Sequence, residues 1–163
     1  MHTFGPDNAT LTVRTKRLGA ASKAGHDLLI EVTSWSATLD EQSITLTADP
    51  SSLRVLEGTG GMMTLGDDDK AGIAQTIDDE VLKRIPIEFR STSVEPGPGR
   101  VTGELELGGE RRTVDFELAS EAGRITGTVI LKQTDWGMKP YSALFGTLKV
   151  ADEVEVAIDA RLP

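Results

Sequence analysis

Apolar residues recur at every second position along most of the chain. In GHDLLIEV, Leu28, Ile30 and Val32 share one parity, and near the end Val154, Val156, Ile158, Ala160 and Leu162 alternate with charged or small residues. A period of two with one dry and one wet face predicts strands. The same spacing places Leu11 with Val13, Ile44 with Leu46 and Ala48, and Ile85 with Ile87 and Phe89. It continues through Val101, Leu105 and Leu107, then Val114, Phe116 and Leu118, and finally Ile125, Val129 and Leu131. Short connections such as Asp40-Glu41-Gln42, EPGPGR and Gly108-Gly109 read as hairpin turns. One irregularity stands out. Trp35, Ala37 and Leu39 have the opposite parity to Leu28, Ile30 and Val32, so a bulge is predicted near Thr33 or Ser34 to keep one face dry.

The rhythm breaks between about residues 50 and 83, where a helical insertion is predicted. Asp49-Pro50 followed by SSLRVLEG reads as a short capped helical turn, because Asp accepts backbone N–H bonds and Pro loses nothing at a first helical position. After the Gly-rich GTGGMMTLG, Asp67, Asp68 and Asp69 precede a helix in which Ile73, Ile77 and Val81 recur every fourth residue. Ala74 and Leu82 widen that stripe, which needs an apolar surface to lie on.

About eight strands joined mainly as hairpins make an all-β fold with a helical insertion, an antiparallel up-and-down sheet. Such a meander leaves two unpaired edges, and joining them into a closed barrel removes that liability. The expected barrel occupies residues 1–163 as one domain, since 163 residues bury a sizeable core without staples. With only four Phe, two Trp and one Tyr, bulky rings are too scarce to plug a wide lumen, which favours a cavity.

Composition narrows the function classes. The net charge of −9 repels phosphate backbones and disfavours nucleic acid. No window approaches the roughly 20 apolar residues of a membrane span. Cysteine is absent, so a reducing compartment is permitted, and the start MHTFGPDNATLTV lacks a basic and apolar leader; a cytoplasmic location is expected. His2 and His26 have no HxH, HExxH or cysteine partner, so neither a metal nor a cofactor is expected. The aspartate run lacks the spaced ligands of a calcium loop and reads as a helix cap, and GTGG lacks the GK[ST] ending of a phosphate loop. No serine lies in GxSxG, so no enzyme is expected.

The inward candidates Leu28, Ile30, Ile44, Leu46, Ile87, Phe89, Val101, Leu105, Phe116 and Leu118 then form an apolar ligand-binding lining. His26, at a strand start, either fixes its own turn or hydrogen-bonds a ligand head group. The loop DWGMKPYSALFG concentrates Trp136, Met138, Tyr141, Leu144 and Phe145 with one cation, Lys139. These groups either cap the bottom of the barrel or line its mouth, where Trp136 would touch the ligand and Lys139 would offset a phosphate or reach a carbonyl.

The segments GHDLLIEVTSWSATL, IDDEVLKRIPIEFRSTSV, GELELGGERRTVDFEL and DWGMKPYSALFGTLKVADEVEVAIDARL together resemble the YceI-like family. The resemblance covers nearly the whole chain and implies a lipocalin-like, eight-stranded barrel. It implies an elongated apolar pocket for an isoprenoid lipid, either a polyprenyl phosphate or a quinone, and no catalytic residues. The expected function is therefore non-catalytic binding or carriage of a long apolar small molecule. The alternatives are a barrel filled by side chains, acting as an acidic interaction or stress-related module, and an enzyme in which His26 and a loop carboxylate act on a lipid head group. The oligomeric state, a homodimer included, stays open.

Overall fold

The computed structural model describes residues 1–18, 27–59, 66–95, 99–140, 142–143 and 148–162. Alternation produces β1 (His2–Phe4), β2 (Ala9–Thr15), β3 (Arg17–Leu18), β4 (Asp27–Val32), β5 (Trp35–Leu39), β6 (Ile44–Ala48) and β7 (Leu53–Thr59) before the helix. After it come β8 (Ile87–Val94), β9 (Arg100–Leu107), β10 (Glu110–Glu121), β11 (Arg124–Lys132), β12 (Ser142–Ala143), β13 (Leu148–Val150) and β14 (Glu153–Arg161). Eleven of these form one antiparallel sheet in the order β1-β5-β6-β8-β9-β10-β11-β14-β2-β4-β7, and β12-β13-β3 form a small second sheet.

The large sheet curls into a half-barrel. It carries more strands than the eight or so that alternation predicts, and its order runs between two ends where a closed cylinder was expected. The reason is local. Chain bends at residues 5–8, 33–34 and 49–52 each divide one apolar-alternating segment into two strands that belong to opposite ends of the order. A connection this short spans less than about 20 Å, so the two ends of the sheet must approach one another. At the bends the backbone stays paired: Thr33 N–H donates to the Ser52 carbonyl and Asp49 N–H to the Ser34 carbonyl, both at 3.0 Å.

The bend at Thr33 and Ser34 is where the apolar parity changes, with Ile30 and Val32 buried before it and Trp35 and Ala37 after it. The bulge itself lies elsewhere. Opposite Leu29 and Ile30 the register steps from Glu57 to Val55, leaving Leu56 as the extra residue of β7. The expected helical turn over SSLRVLEG is shorter than its sequence suggests. Asp49 accepts from Ser51 N–H at 2.9 Å and caps a 3-10 turn that stops at Ser52. Leu53 and Val55 then alternate inward in β7, which satisfies the open edge of β4.

The single α-helix among the described residues, α1 (Asp67–Thr76), continues into a π-helical turn over Ile77–Val81. Asp69 accepts from the Gly66 N–H at 3.0 Å, and three aspartates in the first turn meet the positive end of the helix dipole. The apolar stripe of Ile73, Ile77 and Val81 packs against the core, and α1 lies against β7. Lys83 and Arg84 adopt left-handed backbone at φ 57° and 59°, ending the helix ahead of Pro86. Among the described residues no helix is long and apolar enough to cross a membrane.

Candidate functional site

The inner face of the curled sheet and the stripe of α1 enclose a cavity of about 770 Å³. Small-molecule sites usually occupy about 300–1,000 Å³, so this is a full-sized one. Leu28, Ile30, Ile44, Leu46, Ile87, Phe89, Leu105, Phe116 and Leu118, all chosen from strand parity, line it. Several of them, among them Leu46, Phe116 and Leu118, are only half-buried although they face inward. Their remaining exposure is to the cavity, because no protein atoms fill the space in front of them.

Three of the expected contacts, Val101, Lys139 and Trp136, are absent from the lining. Val101 is completely buried and does not line the cavity; it stands between its cross-strand partners Val94 and Phe116. Lys139 is exposed and outside the lining, so it offsets no charge within. Trp136 is 3% exposed and also outside the lining, with its indole N–H donating to the Leu105 carbonyl at 2.8 Å. His26, together with Tyr141, Leu144 and Phe145, lies outside the described residues.

Trp136 has a structural task. Pairing between β10 and β11 runs only from Glu117↔Thr128 to Glu121↔Arg124, while residues 110–116 of β10 pair with β9 and 129–132 of β11 with β14. The two strands therefore part company, leaving a wedge in the wall. A 3-10 turn, Gln133–Trp136, sits against both strands at that place. Asp152 ties the turn down by accepting from Thr134 N–H at 2.8 Å and from its hydroxyl at 2.6 Å, and these bonds hold the Asp152 carboxyl below its usual range. From the turn, Trp136 reaches the second strand beyond β11, and Met138 beside it does line the cavity.

Gly103 of β9 creates room two residues from Leu105 in the same wall. A Cβ there would stand 2.5 Å from the Arg90 carbonyl oxygen and 2.6 Å from the Phe89 ring. Without it Phe89 lies across the strand and meets Phe116 at 5.6 Å between ring centres, tilted by 54°.

Residues beyond that parity set also line the cavity. Val13, Val129, Val156 and Ile158 line it, as do Ile73, Ile77 and Val81 of the helical stripe. Their signal was present in the period-two and period-four patterns; what the pattern lacks is the distance from a side chain to empty space. Polar groups are few: Thr15, Thr38, Thr76, Thr128 and Gln133, with Asp68 and Asp69 from the first turn of α1. Gln133 donates its side-chain N–H to the Ala151 carbonyl at 3.0 Å, whereas the Thr15 hydroxyl, in a residue 9% exposed, has no hydrogen-bond partner among the described residues.

Charges on the outside pair across strands. Asp115 accepts from Arg100 at 2.6 Å and from Thr102 at 2.7 Å, which lowers its carboxyl to about 2, and Arg124 pairs with Asp159. Exposed pairs of this kind add little stability. Among the described residues no three His, Asp or Glu side chains gather as a metal site.

A family model described as YceI-like domain matches residues 3–162. The crystal structure of Burkholderia cenocepacia BcnA is similar at a TM-score of 0.65 and 19% identity, covering 93% of this chain and 94% of that one. The Campylobacter jejuni YCEI protein, described as crystallising with large solvent channels, is similar at a TM-score of 0.57 and 12% identity, covering 82% of this chain and 84% of that one. At such identities the likeness is one of fold. No curated protein sequence matches the chain.

Proposed function

The chain belongs to the YceI-like family, and from that premise we propose that it binds and carries a long apolar molecule, an isoprenoid lipid, without transforming it. The observation that carries this reading is the cavity of about 770 Å³ lined almost wholly by aliphatic and aromatic side chains. The family is associated with apolar ligands, which agrees with that lining.

Closure of the wall belongs to the same reading. Counted through the three bends, the strands of the large sheet become eight long ribbons, and the last, β14, pairs with the first through β2. A barrel of that size holds one ligand. Binding is driven by desolvation: an isoprenoid unit of about 80–100 Å², buried at about 25 cal/mol/Å², contributes roughly 2 kcal/mol before ordering costs. The competing picture of an interior filled by side chains is disfavoured by the volume left open.

Titration with a long prenol, followed by gel filtration without detergent, tests the proposal. Co-elution of one prenol per chain is expected. Prenol eluting wholly apart from the protein would overturn the reading.

A further inference from the structure

Resting on the carriage reading, we propose that the cavity selects apolar chains whose head is uncharged and carries a hydrogen-bonding oxygen, such as a ketone, quinone or alcohol, and that it rejects phosphorylated isoprenoids. The described lining contains no Lys, Arg or His. Its only formal charges are the carboxylates of Asp68 and Asp69, at the start of α1. A helix N-terminus ordinarily attracts anions, but this one is satisfied by its own acids: Asp69 takes the Gly66 N–H, and Asp67 and Asp68 stand in the same turn. A phosphate head would enter a low-dielectric space with no cation among the described lining residues to offset it and with the Asp68 and Asp69 carboxylates in the same wall. Lys139, the cation that sequence reasoning offered for that purpose, is outside the lining.

The second observation is the Thr15 hydroxyl. Thr15 shares the parity of Leu11 and Val13 in β2, stands opposite Leu28 of β4, and lines the cavity. Its Oγ1 is buried with no partner among the described residues. A buried hydroxyl left unpaired is costly, and a ligand oxygen placed against it recovers the bond as either donor or acceptor. One neutral hydrogen bond in an apolar tunnel suits a single oxygen at the end of a hydrocarbon chain.

The test compares geranylgeraniol, geranylgeranyl phosphate and the matching hydrocarbon on the full chain at neutral pH. The alcohol is expected to bind at least about tenfold more tightly than the phosphate, the scale of one charge left without a partner. Thr15→Val, which keeps the shape and removes the hydroxyl, is expected to weaken the alcohol severalfold and leave the hydrocarbon unchanged; Thr15→Ser restores the alcohol. Asp68→Lys is expected to raise phosphate affinity. Phosphate binding as tightly as the alcohol, or Thr15→Val leaving both neutral ligands unchanged, overturns the inference while carriage stands. Failure of all three ligands to bind overturns carriage itself, and the inference with it.

Discussion

Filling the interior abolishes carriage: the double variant Leu46→Trp, Val129→Trp is expected to fold and to bind a long prenol about a thousandfold more weakly. Leu46 in β6 and Val129 in β11 stand on separate walls, both line the cavity, and both are half-buried because they face open space. Indoles at the two positions therefore enlarge into the cavity and spare the packed core, which avoids the usual penalty of overpacking. Displacing about two isoprenoid units at roughly 2 kcal/mol each removes about 4 kcal/mol, and 1.4 kcal/mol is tenfold in affinity. Ile130→Trp is the control. Ile130 neighbours Val129 but is 61% exposed on the outer face, so the same added bulk there leaves binding unchanged. Thermal melts show whether each variant is folded, and prenol titration reads the effect. Full binding by the folded double variant would place the ligand outside the cavity.

Trp136→Ala is expected to cost about 3–5 kcal/mol of stability, the range for deleting a large buried aromatic side chain. In a chain of this length that corresponds to a fall in Tm of roughly 10 °C or more. Two losses combine. The wedge between β10 and β11 loses its plug, and the Leu105 carbonyl loses the indole donor at 2.8 Å. Trp136→Phe keeps the plug and gives up only the hydrogen bond, which is worth about 1 kcal/mol. The Tm of the two variants beside the parent measures both effects. An alanine variant as stable as the parent but defective in prenol binding would reverse the assignment and make Trp136 a ligand contact.

Much of the wall was legible in the chain because period two carries its own orientation. Once Ile44 and Leu46 face inward, Ala48 must follow; the parity change between Val32 and Trp35 marked the right place but was read as a bulge, where the chain instead bends at Thr33 and Ser34. The stripe of Ile73, Ile77 and Val81 likewise announced a helix that needs an apolar surface. What stayed hidden depends on partners remote in sequence. Trp136 reads as a ligand contact until its N–H is seen to meet Leu105, 31 residues away. SSLRVLEG reads as a turn until the edge of β4 supplies a ladder for it. The strand count rose above the expected one because bends cut long alternating segments in two, and alternation within each half looks the same whether or not the chain bends between them.

The head-group chemistry was hidden for a different reason. Lys139 and Trp136 drew notice as a cation beside a large ring, yet neither lines the cavity, whereas Thr15 looked like an ordinary strand residue. Its role follows only from burial without a partner, a property of the folded wall that no local pattern encodes.

The most direct measurement of the central claim is organic extraction of the freshly purified protein followed by mass spectrometry. A long apolar chain recovered at about one molecule per protein is the predicted result. An empty extract from folded protein that also fails to take up added prenol would contradict the account.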